Sequence, residues 1–276
     1  AVTIATGTTL TNNITSKDIL KEVTSLTNSG SVVNNGILNV ATLTNNSGTI
    51  TNNESGILTL SKASENKSKI INSGTINVES GLTNSAAITN TGTVNFGTSS
   101  TFTNNWTFTN EGSVVSTATN LTLSGVTQKV KDAVIKNTSG ALTLSTNDIK
   151  AGSLVLEAGT ITVSGNTGTF NSFTQTEGLL TVADSGNLII DGENDGTLTI
   201  VDYNEESGIS VTGTGTLTIA YDLAVTSNVE SALGGKIFLN NGTLDLTLGQ
   251  EEKITYDQYA ALKDAILSDG SKGTLR

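Results

Sequence analysis

The chain has 276 residues, a formal net charge of −11 at pH 7 and 35% hydrophobic residues, and it contains no Cys, His, Met or Pro. Without Cys and His, disulfides, thiolate or imidazole catalysis and an ordinary zinc site are excluded. The negative charge argues against nucleic acids and anionic membrane surfaces as partners, because both attract clustered Lys and Arg.

The first segment, residues 1–27, is predicted to form an N-terminal cap or first coil. Ser16 to Val23 has the pattern of a short helical turn with Ser16 as its N-cap. No charged-then-apolar signal sequence opens the chain, and no apolar run approaches the roughly 20 residues that a membrane-spanning helix needs. We therefore expect Ala1 to be the start of a processed protein or of an excised fragment.

Residues 28–115 are rich in asparagine, which recurs in two columns that both step by 18, 20, 18 and 20 residues. Matching steps in two columns indicate a structural unit of about 19 residues that is stacked on itself. Stacked amides can hydrogen-bond along the stack, and Asn also tolerates the left-handed conformation of tight corners. The first column is Asn28, Asn46, Asn66, Asn84 and Asn104, and the second is Asn34, Asn52, Asn72, Asn90 and Asn110.

Residues 116–139 interrupt this rhythm. The stretch from Gln128 to Lys136 carries Lys129 and Lys131 as well as Lys136 and separates the Asn-rich half from a Thr-rich half. It is predicted to be a protruding loop or an irregular junction.

Residues 140–254 repeat the pattern Gly-x-Φ-x-Φ, where Φ is a large aliphatic residue, with glycines that step by 19, 19, 18 and 19. Successive side chains of a strand face opposite sides, so both aliphatic positions point inward and the residue between them points outward. The predicted inner column is Leu142, Ile161, Leu180, Leu198 and Leu217, and the predicted outer column is Thr143, Thr162, Thr181, Thr199 and Thr218. A second, less regular strand is expected in each turn.

Residues 255–276 are predicted to form a C-terminal helix and tail. Thr255 and Gln258 have the spacing of a capping box, and Gly270 is the expected stop. Tyr259, Leu262 and Ile266 would share one helical face. Such a helix would cover the open end of the last coil, or alternatively link to a further domain.

A single coil of this size buries too few aliphatic side chains to offset the conformational entropy lost on ordering it. Stacked coils add a backbone ladder and continuous side-chain columns, so the array becomes stable when several neighbours are present. The fold predicted from the pattern is therefore an all-β parallel β-helix, or solenoid, with coils of about 19 residues and a short C-terminal capping helix.

Acidic residues offer the only candidate chemistry, and no catalytic, cofactor-binding or metal site is assigned. Glu205 and Glu206, like Glu251 and Glu252, are adjacent in sequence and would face opposite sides of a strand, so we expect solvated surface. Residues 191–196 (Asp-Gly-Glu-Asn-Asp-Gly), with Asp202 at the twelfth position, resemble a calcium-binding loop. Glu at the third position and Asp at the twelfth depart from that loop, and an acidic, solvated corner is the favoured interpretation.

Two further features have alternative interpretations. Thr-x-Thr rows such as Thr160 and Thr162 resemble the flat face of β-helical ice-binding proteins, although Thr is also a good outward strand residue. Trp106, Phe102 and Phe108 form the one aromatic concentration, for which core filling is favoured over sugar stacking.

The related phrases Thr-Asn-Thr-Gly-Thr-Val-Asn at residues 89–95 and Thr-Asn-Asn-Ser-Gly-Thr-Ile-Thr-Asn at residues 44–52 resemble the repeats of filamentous-haemagglutinin-type and autotransporter passenger proteins. The resemblance extends over nearly the whole chain. It implies a right-handed β-helix at the surface of a Gram-negative bacterium, or secreted from it, that mediates adhesion or cell-cell aggregation.

The expected function is that of a non-enzymatic adhesin at the bacterial cell surface or outside the cell. Its expected partner is a host glycan, a host protein or another copy of itself, with no nucleic acid, no cofactor and no membrane insertion by this segment. A structural subunit of a surface layer or filament is the alternative. A polysaccharide lyase or hydrolase is less favoured, because the sequence offers no cluster of basic and acidic catalytic residues.

Overall fold

A computed structural model describes residues 1–16, 22–191, 197–220, 233–247, 255–266 and 273–276. The chain divides into two compact units, Ala1–Lys136 and Asn137–Arg276. Each unit is built from short parallel strands.

The first unit contains the strands β1 (Val2–Ile4), β2 (Thr9–Asn12), β3 (Val23–Asn28), β4 (Ser31–Asn34), β5 (Ile37–Asn45), β6 (Thr49–Asn52), β7 (Ile57–Leu60), β8 (Ser64–Asn66), β9 (Ile70–Asn72), β10 (Thr75–Val78), β11 (Gly81–Asn84), β12 (Ile88–Asn90), β13 (Thr93–Phe96), β14 (Thr101–Asn104), β15 (Phe108–Asn110), β16 (Ser113–Ser116), β17 (Asn120–Leu123) and β18 (Val126–Gln128). The boundary between the units falls inside β19 (Val134–Asn137).

The second unit contains the strands β20 (Ala141–Leu144), β21 (Asp148–Ile149), β22 (Ser153–Leu156), β23 (Thr160–Val163), β24 (Asn166–Phe170), β25 (Ser172–Gln175), β26 (Leu179–Val182), β27 (Asn187–Asp191), β28 (Leu198–Thr199), β29 (Gly208–Thr212), β30 (Thr216–Ala220), β31 (Ile237–Asn240), β32 (Thr243–Thr247) and β33 (Thr274–Leu275), and one helix, α1 (Tyr256–Ala265).

The strands of the first unit stack into three parallel ladders, which we name faces A, B and C. Face A contains β1, β3, the C-terminal half of β5, β8, β11 and β14. Face B contains β2, β4, β6, β9, β12, β15 and β18. Face C contains the N-terminal half of β5, β7, β10, β13 and β16. From β3 to β16 each coil thus contributes one strand to each face, and the unit is a parallel β-solenoid.

The second unit has the same construction. One ladder runs through β20, β23, β26, β29 and β31, another through β21, β24, β27, β30, β32 and β33, and a third through β22, β25 and β28. All of these pairs are parallel. The predicted all-β parallel solenoid with one short helix near the C-terminus is therefore confirmed.

The core of each coil follows from strict alternation along the strands. In β10, Ile76 and Val78 are buried while Thr75 and Asn77 are partly exposed. Parallel register places like positions of successive coils above one another, so Leu58, Ile76 and Val94 form one apolar column. This stacking gives each aliphatic side chain apolar neighbours from the coils on both sides, which a single coil cannot supply.

Buried amide side chains run parallel to the apolar columns at two of the three corners. In the ladder at the end of face B, each amide Nδ2 donates to the side-chain oxygen of the next coil at 2.6–2.9 Å. In the ladder at the end of face A, the corresponding distances are 2.7–2.9 Å. The face B ladder is Asn12, Asn34, Asn52, Asn72, Asn90, Asn110 and Gln128, and the face A ladder is Asn28, Asn45, Asn66, Asn84 and Asn104.

The same amide side chains also donate hydrogen bonds to backbone carbonyls at the corners. Asn72 Nδ2 also donates to the carbonyls of Thr93 at 3.0 Å and Gly74 at 3.2 Å, which ties the side chain to the backbone of the turn. The predicted structural role of stacked asparagines is thereby confirmed. The second reason offered for them is wrong, because the non-glycine residues with positive φ in the described ranges are Ser185 and Asn241, neither of which belongs to a ladder.

One member of the predicted face A column is also wrong. Asn45, not Asn46, stacks between Asn28 and Asn66, and Asn46 is exposed. The shift arises because β5 continues around a corner as one strand, with Val40 and Ala41 both buried in succession. An adjacent buried pair moves every later side chain to the opposite phase of the alternation.

Glycines form a column beside the face B ladder. A Cβ added to Gly74, Gly92 or Gly112 would collide with the carbonyl oxygen of the glycine one coil earlier, namely Gly56, Gly74 or Gly92. The backbones of successive coils therefore touch at this corner, and only a residue without a side chain fits there.

The predicted aliphatic column of the second unit is confirmed for Leu142, Ile161 and Leu180, which are register partners. It is wrong for its last two members. Leu180 pairs next with Ile209, 29 residues further on, whereas Leu198 pairs with Phe173 in β25. Leu217 pairs with Leu188 and Leu244 on another ladder.

Residues 116–139 are not simply an irregular junction or loop. They contain β17, β18 and β19, and Leu121, Leu123, Val126 and Ile135 are buried. The lysines lie in and beside the turn between β18 and β19, where Lys129 and Lys131 are exposed. These strands were not predicted because they lack the asparagine spacing of the preceding coils.

Helix α1 begins with the predicted capping box: the Thr255 hydroxyl accepts from the Gln258 amide N–H, and the Gln258 side chain accepts from the Thr255 amide N–H. Leu262 and Ile266 are buried, and Ile266 is the C-cap. The predicted stop at Gly270 lies outside the described residues, as do residues 17–21 of the predicted turn after Ser16.

The face A ladder yields a direct test through two adjacent asparagines. Asn45→Ala removes the acceptor of Asn28 and the donor to Asn66, so we expect the free energy of unfolding to fall by about 2–5 kcal/mol. Asn46→Ala changes an exposed side chain and should stay within about 0.5 kcal/mol of wild type. Urea denaturation followed by circular dichroism measures both, and a larger loss for Asn46→Ala would contradict the register.

The glycine column yields a second test. Gly92→Ala places a methyl group against the Gly74 carbonyl and should destabilise the protein by about 1–3 kcal/mol. Gly97→Ala is the matched control, because its Cβ would meet Val78 O at 3.4 Å, an ordinary contact. Equal thermal unfolding midpoints for the two variants would rule out close packing of the coils at this corner.

Candidate functional site

A groove of about 460 Å³ opens on the outward side of face C in the first unit. Strands β5, β7 and β10 form its floor, and residues that precede β3 or follow β7 and β10 form its walls. Its lining residues are Glu22, Ile37, Asn39, Ile57, Thr59, Ser61, Asn77 and Glu79.

The floor is fixed by the same alternation that builds the core. Asn39, Thr59 and Asn77 are register partners in successive strands, and Ile37 pairs with Ile57 beside them. All five side chains point outward and are partly exposed, because the residues between them are buried in the core. A polar row and a short apolar row therefore lie side by side on a rigid sheet.

Two carboxylates flank the floor. Glu79 follows β10 and is exposed, and Glu22 precedes β3 and accepts a hydrogen bond from the Ser61 hydroxyl. Neither carboxylate forms an ion pair within the described part of the chain. The groove therefore presents negative charge and acceptor oxygens to solvent.

A chain of hydrogen bonds ends in the groove. Asn95 Nδ2 donates to Asn77 Oδ1 at 2.9 Å, and Asn77 Nδ2 donates to Thr59 Oγ1 at a longer 3.4 Å. Among the described residues, the Thr59 hydroxyl proton has no acceptor and the Asn39 amide has no hydrogen-bond partner. We name this interruption between Thr59 and Asn39 the ladder gap. It exists because the Thr side chain is shorter than the Asn side chain that would continue the row.

The groove thus offers both kinds of hydrogen-bonding group within one concavity. The Thr59 hydroxyl and the Asn39 amide can donate, and Glu22 and Glu79 can accept. Its volume lies within the range of about 300–1,000 Å³ that is common for small-molecule sites. This arrangement suits a ligand whose groups both donate and accept.

The aromatic concentration at residues 102–108 is divided between core and surface. Phe102 packs between Phe96 and Phe108, with ring centroids 5.2 and 5.6 Å away, and all three rings are buried. Trp106 is 64% exposed at the corner between β14 and β15. Core filling is therefore confirmed for the two phenylalanines and wrong for Trp106.

The exposed Trp106 is the only tryptophan, so its emission reports on this corner alone. We expect the folded protein to emit close to the wavelength of free tryptophan and to be quenched readily by acrylamide. The matched comparison is the urea-unfolded chain, which should show little additional quenching. A blue-shifted, poorly quenched emission from the folded protein would contradict the exposed position.

The other acidic candidates do not converge on a site in the described ranges. Glu205 and Glu206 are both exposed in a turn where Asn204 Oδ1 accepts the amide N–H groups of Glu206 and Ser207 at 2.8 Å. The core of the calcium-like loop, residues 192–196, lies outside the described residues, as do Glu251 and Glu252. No cluster of three or more Asp and Glu side chains able to hold a metal ion occurs within the described segments.

The Thr-x-Thr rows do not share one face. Thr162 pairs with Thr143 and Thr181, but Thr199 pairs with Thr174, and Thr218 pairs with Ile189 and Asp245. Thr160 is flanked by Ala141 and Leu179. The continuous threonine plane considered from the sequence is therefore not formed.

The groove residues were missed by the sequence analysis. The outer row could have been found from its spacing of one coil per residue, but the more regular inner asparagine columns were assigned instead. The row is Asn39, Thr59, Asn77 and Asn95. No sequence pattern predicts that Glu22 belongs to the groove, because its partner Ser61 lies 39 positions away in the sequence.

Comparison of the chain with protein-family models, curated proteins and solved structures gives no significant match. No helix in the described ranges is long and apolar enough to cross a membrane.

Proposed function

We propose that this chain is a non-enzymatic adhesin, displayed on a bacterial surface or secreted, that attaches to a partner through the polar outward sides of its solenoid coils. The observation that carries the proposal is the groove on face C, a concave polar surface preformed on a rigid ladder. Sites built on strands hold their side chains in fixed positions, so little ordering entropy is lost when a ligand binds.

Repetition of the coil supports the same proposal. On face B, outward residues of successive coils stand in register, and most of them are threonines. A ligand with repeated groups can meet the same chemistry several times along such a row, and linked weak contacts then give a combined affinity far above that of each one. The row is Thr11, Val33, Thr51, Ile71, Thr89, Thr109 and Thr127.

The charge of the chain restricts the partner. With a net charge of −11, the protein repels strongly anionic polymers at low ionic strength. A neutral glycan or a protein surface without excess negative charge avoids this repulsion. The chain acts by holding such a partner, and no step of bond breaking is assigned to it.

Attachment can be tested with beads that carry the protein at several densities. Because many weak contacts act together, we expect bead attachment to cultured animal cells or to bacterial cells to rise more steeply than the coating density. Soluble protein in excess should compete. Beads coated with heat-unfolded protein are the control for non-specific adhesion.

Three outcomes would overturn the proposal. The first is absence of attachment and of bead aggregation at every density. The second is assembly of the purified protein into ordered lattices or filaments in electron micrographs without attachment to cells, which would favour a structural subunit. The third is release of reducing ends or unsaturated products from a polysaccharide, which would show an enzyme.

A further inference from the structure

We propose that the ladder gap on face C is a sugar-binding subsite, in which hydroxyl groups of a neutral pyranose bridge Thr59 and Asn39 and donate to the flanking carboxylates. This inference rests on the proposed adhesin function and names the ligand class of its groove.

The ladder gap contains hydrogen-bond donors that a ligand could satisfy. The hydrogen-bond chain from Asn95 through Asn77 stops at Thr59, whose hydroxyl proton has no acceptor in the described part of the molecule. The Asn39 amide, one coil away in register, likewise has no partner there. A hydroxyl oxygen accepts two hydrogen bonds and donates one, so a single sugar hydroxyl can accept from Thr59 and Asn39 and still donate to a third group.

The carboxylates supply that third group. Glu22 and Glu79 line the same groove, and Glu79 is exposed and not engaged in an ion pair within the described residues. A hydrogen bond from a hydroxyl to a carboxylate is roughly twice as strong as one between neutral groups. The carboxylates therefore favour a ligand with several hydroxyl donors and repel uronic or sialic acids.

An amine ligand fits less well. An ammonium group can donate but cannot accept, so it would leave the Thr59 hydroxyl and the Asn39 amide without acceptors. Desolvating these donors without a partner costs binding free energy. A polyol satisfies the donors and the carboxylates together.

The apolar row completes the subsite. Ile37 and Ile57 pair in register beside the polar row, and both are partly exposed on the groove floor. A pyranose ring carries C–H groups on its faces and hydroxyls at its edge, so it can cover the two isoleucines while its edge reaches Thr59 and Asn39. Covering their exposed apolar surface adds to the free energy of binding.

Filling the gap separates this role from a structural one. Thr59→Asn extends the amide row from Asn95 to Asn39, so we expect the thermal unfolding midpoint to stay the same or rise while sugar binding is lost. Thr83→Asn is the matched control, because it makes the same change at an outward, partly exposed threonine on face A, between Glu65 and Thr103 and outside both the groove and the face B row. Asn39→Ala, which removes a donor without filling the gap, is a second variant.

The test measures binding to immobilised neutral oligosaccharides, including lactose, maltotriose and cellotriose, with sialyllactose and trigalacturonate as anionic probes. Wild type and Thr83→Asn should bind at least one neutral probe and neither anionic one. Thr59→Asn should show no binding, and Asn39→Ala and Glu79→Gln should each bind about tenfold more weakly.

Preference for an anionic probe, unchanged binding by Thr59→Asn, or no binding of any neutral probe by wild type would overturn the inference. Bead attachment to cells distinguishes this failure from that of the proposed function. If wild-type and Thr59→Asn beads attach equally, adhesion stands and the subsite is wrong. If wild-type beads neither attach to cells nor aggregate at any density, the adhesin proposal itself fails.

Discussion

The structure of the first unit depends on hydrogen bonds between buried amides of successive coils. Each inner asparagine donates to the next coil and accepts from the one before, as in the run from Asn52 through Asn72 to Asn90. In both inner ladders every bond between stacked amides has the same direction, so neighbouring bonds can polarise one another. Because a buried amide without a partner is costly, each coil requires an amide at the matching position of its neighbour. This requirement explains why asparagine recurs in the sequence at the spacing of one coil.

The second unit shows what happens when the requirement is relaxed. There Asn137 and Gln175 occupy the corner, and the register partner of Gln175 in the preceding strand is Leu156. Asn137 Oδ1 and Gln175 Oε1 are buried and have no hydrogen-bond partner among the described residues. Aliphatic columns carry this unit instead, and its later coils lengthen to 28 or 29 residues between partners such as Leu180, Ile209 and Ile237. Amide ladders thus hold coil length within narrow limits, whereas apolar columns tolerate insertions at the corners, since dispersion and burial do not depend on direction.

Local pattern and period were sufficient to predict the parallel solenoid, the inner asparagines and the capping box at Thr255. They were insufficient to assign each strand to the correct ladder of the solenoid. Leu198 and Leu217 have the same Gly-x-Φ-x-Φ pattern as Leu180, and their spacing mimics one coil, yet they lie on other ladders. The sequence pattern placed Asn46 in the face A ladder instead of Asn45, because it does not show that β5 bends after Val40 and continues as one strand. The groove could not be predicted, because Glu22 and Glu79 come to line one groove only after several coils are stacked.

Coupling between stacked amides is the most direct measure of this account. A double-mutant cycle on Asn72→Ala and Asn90→Ala, followed by urea denaturation, should give an interaction free energy of about 1–3 kcal/mol, with the double variant less destabilised than the sum of the single ones. Asn72 and Asn84, which belong to different ladders, form the control pair and should be additive within about 0.5 kcal/mol. Additive effects for Asn72 and Asn90 would show that the amides act independently, which contradicts a ladder that holds the coils together.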